Sequence, residues 1–316
     1  MTVISVTLNP ALDIGTTVDH VRPTAKLRCA PPLVEPGGGG VNVARVVQRL
    51  GADVRLVTPL GGGTGIRIAQ ALAAADIDLV AVPIAGETRQ SFTVREVASQ
   101  DEFRFVLPGP ELDRAEWQAV IGAVVGGIGK GDWMVLSGSL PPGPPSDTYA
   151  TLAEQVTQRG ACVIVDCAGE SLHSVLAGTY EVVKPNLREL AGVLGLPIDL
   201  ERDQESAARR ALELGHGRAV VVSLGPHGAL LVERDGPATR VRPPAIQPVS
   251  TVGAGDSMVG GLAVGLGRGQ SLVEAVRLGV AAGTATALTP GTELCAPAAV
   301  ERILSETRLE AVSPPG

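Results

Sequence analysis

Residues 35–59 read Glu35-Pro-Gly-Gly-Gly-Gly-Val-Asn-Val-Ala-Arg-Val-Val-Gln-Arg-Leu-Gly-Ala-Asp-Val-Arg-Leu-Val-Thr-Pro59. Four glycines open a stretch, 41–50, whose apolar residues recur at helical spacing, and after a break at Gly51 an apolar run of strand length follows at 54–59. A second helical pattern occupies 65–75. Helix, buried strand and helix in immediate succession are part of a βα alternation, which predicts an α/β fold around a mostly parallel sheet.

The alternation extends outward in both directions. Strands are expected at 3–8, 133–136, 163–166, 181–183, 219–223 and 229–232, helices near 113–125 and 147–159, and two long helices of small residues at 255–267 and 272–288. Two stretches break the pattern. Residues 13–34 and 90–106 alternate polar and apolar, the second as a hairpin across 98–101, and are expected to form a small antiparallel lid. Beyond 307 the chain reads as a frayed tail. One unit, 1–316, with the lid at about 13–35 and 88–107 inserted in it, accounts for the whole pattern.

Aromatic residues are few, so Val, Leu, Ile and Ala must fill the core, as suits parallel strands covered by helices. A formal net charge of −7, with no Lys/Arg run interleaved with aromatics, argues against a nucleic-acid partner. The first residues lack a charged n-region and no apolar stretch reaches membrane-span length, so a cytoplasmic protein without membrane contact is expected. Cys29, Cys162, Cys167 and Cys295 form no C-x-x-C pair and are read as reduced and structural.

Asparagine and lysine are scarce: Asn9, Asn42 and Asn186, and Lys26, Lys130 and Lys184, stand in a chain otherwise rich in arginine. An amide that both donates and accepts, and a compact ammonium that a planar guanidinium does not copy, are kept where substitutes fail. In Ser250-Thr-Val-Gly-Ala-Gly-Asp-Ser-Met-Val-Gly-Gly261 a glycine-rich turn opens into a helix. The N–H groups of Gly253, Ala254 and Gly255 suit the oxyanions of a transferring phosphoryl group, with Asp256 beside them to accept a hydroxyl proton. An ordinary N-cap role for Asp256 explains the same residues.

The glycine run 37–40 lets backbone approach a ligand, and Asn42 immediately after it argues against a linker. It is not a dinucleotide fingerprint, which would need glycine at Asn42, and 126–131 is not a Walker A loop, because Gly rather than Ser or Thr follows Lys130. Asp13, in Leu8-Asn-Pro-Ala-Leu-Asp13, lies past the first strand where open α/β sheets bind ligands; it suits sugar hydroxyls or simply begins a turn. In Val183-Lys-Pro-Asn-Leu-Arg-Glu189, Asn186 and Glu189 share a helix face and either orient hydrated Mg²⁺ or form a capping box. Arg28, Arg89 and Arg104 fall on the lid, where guanidinium forks suit a second, non-transferred phosphate. Val222-Ser-Leu-Gly-Pro-His-Gly-Ala229 reads as strand, tight turn, strand, covering a nucleotide or serving only as a hairpin.

Taken in order over roughly residues 3–296, these segments resemble the ribokinase-like carbohydrate kinases, the PfkB family. The glycine run and the Gly-Ala-Gly-Asp segment are specific as a pair. Within that family the chain is most similar to the minor, ribokinase-type bacterial 6-phosphofructokinases, through Lys26-Leu-Arg-Cys29, Glu35-Pro-Gly-Gly-Gly-Gly40, Thr88-Arg-Gln90, Phe103-Arg-Phe105, Ser137-Gly-Ser-Leu-Pro-Pro-Gly143 and Ser223-Leu-Gly-Pro226.

The resemblance implies a three-layer α/β/α sandwich with a mostly parallel central sheet and a β lid that doubles as a homodimer interface. It implies Mg²⁺- and ATP-dependent phosphorylation of fructose 6-phosphate at the C1 hydroxyl, with Asp256 as base. Tagatose-6-phosphate kinase and 1-phosphofructokinase are the neighbouring alternatives, and a non-catalytic sugar-phosphate sensor is the alternative of another class. By the same similarity Asp13, Gly38, Gly39, Asn42, Arg89 and Ser139 would hold the sugar, with Arg28 reaching its 6-phosphate. Lys184, Asn186, Ser223, Gly225, Gly228 and Thr284 would surround ATP, and Lys26 would stand near an inhibitory second nucleotide site. A monovalent cation, usually K⁺, would lie in loops at Ser250, Val252, Thr286, Thr289 and Gly291. There Thr289, Pro290 and Glu293 depart from the family's Asn, Gln and Arg.

Overall fold

The computed structural model describes residues 2–198 and 200–312. Strands β1 (Val3–Val6), β2 (Ala11–Val18) and β3 (Leu33–Gly37) precede α1 (Gly39–Arg49), β4 (Val54–Leu60), α2 (Gly62–Ala74) and β5 (Asp78–Pro83). After β6 (Arg89–Glu96) and β7 (Glu102–Val106) come α3 (Arg114–Gly126), β8 (Trp133–Ser137), α4 (Thr148–Gln158), β9 (Cys162–Asp166), α5 (Gly169–Leu176), β10 (Val182–Val183), α6 (Leu187–Leu194) and α7 (Glu201–Glu213). The remaining elements are β11 (Ala219–Ser223), β12 (Ala229–Glu233), β13 (Ala238–Arg242), α8 (Ala254–Gly267), α9 (Leu272–Thr286), α10 (Pro297–Glu306) and β14 (Arg308–Ala311).

Ten strands form one sheet in the order β14-β13-β12-β11-β10-β9-β8-β1-β4-β5, parallel from β11 to β5 and antiparallel from β11 to β14. Side chains alternate across it as the pleat requires. Met134 and Leu136 of β8 pack into a core with α3 to α7, while Trp133 and Val135 face a second core with α1, α2, α8, α9 and α10. The architecture is the expected three-layer ribokinase-like α/β/α sandwich. The two long small-residue helices pack on each other: a Cβ on Gly261 of α8 would fall 2.8 Å from the Gly279 Cα of α9. Backbone meets backbone there, and it sets the C-terminal half firmly behind the segment 250–256.

The lid is a separate sheet in the order β3-β2-β6-β7. It is not wholly antiparallel, as the sequence suggested. The central pair β2 and β6 is parallel, with Asp13 beside Ser91, because α1, β4, α2 and β5 intervene and return the chain to the lid in the same direction. The expected hairpin joins β6 to β7. The region beyond 307 is also corrected for residues 308–311: β14 pairs with β13 over four residues, held by Arg242 to Glu310. Residues 313–316 lie outside the described residues. Elements β5, α5, β13, α7 and α10 were not anticipated; the buried stripe of α7 is mostly Ala207, Ala208 and Ala211, too weak a pattern to read against its charges. Among the described residues no helix is long and apolar enough to cross a membrane.

Candidate active site

Asp256 does not cap its helix. The N-cap of α8 is Gly253, at φ 75°, a left-handed conformation that glycine adopts without strain, and this puts Asp256 in the first turn with no capping hydrogen bond. Its carboxylate instead accepts a 2.8 Å hydrogen bond from Asn42 Nδ2 of α1, across 214 residues of chain. The two motifs that seemed weak separately are one site. Burial, and the negative charge of Asp166, push the Asp256 carboxyl up to about 6; the Asn42 hydrogen bond and Lys184 oppose them. A carboxylate titrating there is suited to accept a proton near neutral pH. Among the described residues the N–H groups of Gly253, Gly255 and Asp256 have no partner, whereas that of Ala254 points to Thr251 O at 3.3 Å. The free donors at this helix start form an anion seat.

Lys184, 4% exposed, closes one side of that seat: a Cβ on Gly255 would lie 3.8 Å from its Nζ. It pairs with Asp166 at 3.0 Å. Burial alone would lower the Lys184 ammonium, but Asp166, Glu189 and Asp256 outweigh it and hold the group above the usual lysine value. Asp166 escaped the reading of the sequence, although it ends a predicted strand at the sheet edge where ligands bind. Its partner lies just past the end of the neighbouring strand β10, and strand order is not visible in the sequence.

Asn186 and Glu189 do form the capping box: Asn186 Oδ1 accepts from Glu189 N and Glu189 Oε2 from Asn186 N, each at 2.8 Å. Burial raises the Glu189 carboxyl above its ordinary value. Among the described residues no cluster of three or more His, Cys, Asp or Glu could ligate a metal directly. The Glu189 carboxylate and the Asn186 side-chain amide, side by side at this helix start, fit the water shell of Mg²⁺ rather than the ion itself. Asn186 also bridges to Ser223 at the end of β11, where Ser223 N donates to Pro185 O at 2.9 Å. Gly225 and Gly228 follow in a short 3₁₀ turn, so 222–229 is a hairpin. A Cβ on Gly228 would strike Val241 O at 1.9 Å, which gives that glycine a packing role of its own. Thr284 is half-buried near the end of α9.

Of the residues expected to hold a sugar, Asp13 is half-buried on β2. Burial pushes its carboxyl up to about 6, against the pull of Arg104 and Arg89. Its carboxylate rests on the glycine run, since a Cβ on Gly37 would fall 2.0 Å from Asp13 Oδ2. Gly39 and Gly40 are pressed against the ends of β8 and β1, where added Cβ atoms would lie 2.3 Å from Ser137 Oγ and 2.4 Å from Val6 O. Gly38, at φ 108°, makes the turn from β3 into α1. The run is therefore a rigid floor. Ser139 Oγ accepts from Asn9 Nδ2 at 3.1 Å. Arg89 donates to the carbonyls of Asn9, Pro10 and Leu107 and clamps the lid to the end of β1. Lys26 and Arg28 stand apart from this cluster, exposed between β2 and β3, with no hydrogen bond or ion pair among the described residues.

The loops 249–252 and 286–293 meet beside α8. Val249 N donates to Ala287 O at 2.8 Å, Ser250 Oγ lies 3.0 Å from Gly291 O, and Thr289 Oγ1 donates to Thr286 O at 2.8 Å. The carbonyls of Ser250, Val252 and Thr289 accept no hydrogen bond among the described residues. Unused carbonyl oxygens on facing loops fit a monovalent cation. Clefts of about 410 and 560 Å³ lie elsewhere, one at the opposite ends of β9 to β11 and one beside β13 and β14. Neither gathers the groups described above.

The profile of the pfkB family carbohydrate kinases matches residues 8–299. An ATP-dependent 6-phosphofructokinase isozyme 2 of Mycobacterium tuberculosis is 43% identical over 300 residues, covering 95% of this chain and 88% of that protein. A 1-phosphofructokinase of Xanthomonas campestris is 35% identical, over 83% of each. Phosphofructokinase-2 from Escherichia coli in complex with fructose-6-phosphate superposes with a TM-score of 0.90 at 38% identity, and its complex with potassium with 0.91 at 40%, each covering 96% of this chain and 98% of that one.

Proposed function

The chain belongs to the pfkB family of carbohydrate kinases, and from that premise we propose that it transfers the γ-phosphoryl group of ATP to the C1 hydroxyl of fructose 6-phosphate. The observation that carries this reading is the 2.8 Å hydrogen bond from Asn42 to Asp256, which joins the glycine run to the anion seat and points one carboxylate between them. Similarity to 6-phosphofructokinases at about two fifths identity supports the acceptor.

In the reaction Asp256 takes the hydroxyl proton as the sugar oxygen attacks in line, and the free N–H groups of Gly253, Gly255 and Asp256 receive charge that develops on the γ-phosphoryl oxygens. Lys184 adds a fixed positive charge beside them. Asp13 accepts from sugar hydroxyls, with Gly38, Gly39, Asn42 and Ser139 lining the same side. Asn186, Ser223, Gly225, Gly228 and Thr284 border the nucleotide. Magnesium bound with ATP neutralises phosphate charge, and Asn186, Glu189 and Asp166 would hold its water shell. The carbonyl loops 250–252 and 286–291 would take K⁺, whose charge supports the neighbouring anion seat.

The lid formed by β2, β3, β6 and β7 belongs to the same kinase unit and serves as the homodimer face. Leu33, Val97, Phe105, Val106 and Leu107 are exposed along it, apolar side chains that a dimer contact would cover. In that dimer Arg28 of one protomer reaches the acceptor phosphate, and Lys26 stands by a second nucleotide. A cytoplasmic location agrees with ATP and a phosphorylated hexose as substrates. Initial rates of ADP release with fructose 6-phosphate, tagatose 6-phosphate and fructose 1-phosphate, each with and without K⁺, test the reading. It expects the first acceptor to lead and K⁺ to raise its rate. A larger kcat/KM with either other acceptor reassigns the substrate, and tight binding without turnover favours a sensor.

A further inference from the structure

Glu35 lies outside every role assigned above, yet its carboxylate joins three elements. It sits on β3 directly opposite Asp13 of β2. One oxygen accepts from Arg45 Nη2 of α1 at 2.6 Å, and the other accepts from the hydroxyl of Thr292, in the loop after α9. Arg45 closes the arrangement by donating to Pro36 O at 3.2 Å. All three side chains are largely withdrawn from water, with Arg45 9% and Thr292 8% exposed. Such charge-assisted contacts hold their geometry more strongly than neutral ones.

Each element that Glu35 joins carries one part of the site. Strand β3 leads into Gly37, on which the Asp13 carboxylate rests. Helix α1 carries Asn42, one turn from Arg45, and so the donor to Asp256. Thr292 is next to Gly291, whose carbonyl takes the Ser250 hydroxyl at the approach to the anion seat. A second carboxylate repeats the pattern from the far edge of the lid, with Glu102 Oε1 of β7 3.3 Å from the same Ser250 Oγ.

Resting on the reading of this site as a sugar-phosphate kinase, we infer that Glu35 is a positioning residue. Through Thr292 and Arg45 it transmits engagement of the acceptor at Asp13 and the lid to the loop 287–296 and the Asn42–Asp256 pair. Acceptor binding alone, without ATP, then orders a loop whose residues need not touch the sugar.

The test uses Thr292→Val, which removes one leg while leaving the Glu35–Arg45 pair, Thr292→Ser, which keeps the hydroxyl, and Glu35→Gln. Amide hydrogen exchange of 287–296 is followed with and without saturating fructose 6-phosphate, alongside calorimetric binding and steady-state kinetics. The inference expects acceptor-induced slowing of exchange in the wild type and in Thr292→Ser, and its loss in Thr292→Val and Glu35→Gln. It also expects kcat/KM for the acceptor to fall on the order of tenfold in Thr292→Val, as for one hydrogen bond to a charged group, with KM for ATP unchanged and activity restored by serine. A merely structural contact would lower thermal stability and leave the acceptor response intact, which would overturn the inference. Fructose 6-phosphate that binds without changing exchange in the wild type overturns it while the functional reading stands. Failure to bind any ketohexose phosphate overturns both.

Discussion

Replacing the proposed base should cost turnover and gain stability. In the fold the Asp256 carboxyl is raised from its ordinary 3.8 to about 6, chiefly by burial and by Asp166. At 1.36 kcal/mol per pH unit the ionised carboxylate costs the folded state about 3 kcal/mol relative to a neutral one, and partial access to water reduces this to about 1–2 kcal/mol. Asp256→Asn keeps the shape and the acceptor for Asn42 but removes the charge. For a raised carboxyl the cost is absent below the unfolded value, grows as pH rises between 3.8 and about 6, and is complete above. The variant should therefore melt about 1.5–3 °C above the wild type at pH 8, with a free-energy gain about half as large at pH 5. Its kcat should fall roughly 10²–10⁴-fold, as expected when a general base is lost, while calorimetric affinity for fructose 6-phosphate stays within about threefold. Scanning calorimetry at both pH values and a coupled ADP assay measure these. A variant less stable than the wild type at pH 8, or one turning over within about tenfold of it, refutes the reasoning.

Three other outcomes follow from the same geometry. The acceptor kcat/KM should decline below about pH 6, where Asp13 and Asp256 take up protons, and Asn42→Ala should move that limb to higher pH by removing the hydrogen bond that lowers Asp256; a pH–rate profile checks both. Gly37→Ala, at a residue without positive φ, places a methyl 2.0 Å from Asp13 Oδ2 and should raise KM for the acceptor about tenfold with little change in KM for ATP. Lys184→Met leaves Asp166 without its partner and should cost about 3–5 kcal/mol in urea unfolding; adding Asp166→Asn should recover most of the stability and none of the activity.

Local patterns carried much of this site. The helix after the glycine run, the Asn186–Glu189 box and the turn before Asp256 were legible because each depends on residues a few positions apart. What the sequence left open was pairing across distance. Asp256 could be cap or base until the chain brought Asn42 to it, and Asp166 gained meaning only when strand order placed it against Lys184. The glycines read as flexible approach to a ligand proved to be fitted against Ser137 and Val6, residues on strands that no local pattern connects with them. The parallel β2–β6 pair was missed for the same reason: alternation reveals a half-buried strand but not the direction of its neighbour. The strand at 308–311 is exposed and depends on β13, itself unanticipated.

The central claim is that Asp256 deprotonates the C1 hydroxyl of fructose 6-phosphate for attack on ATP. Phosphorus NMR of wild type and Asp256→Asn, each with Mg²⁺, ATP and fructose 6-phosphate, tests it most directly. The account predicts that the wild type converts the sugar to a bisphosphate with new phosphate on C1 and one ADP per product, while the variant leaves the bound sugar unchanged. ADP without a second sugar phosphate, phosphate on a different carbon, or bisphosphate made at near wild-type rate by Asp256→Asn would contradict it.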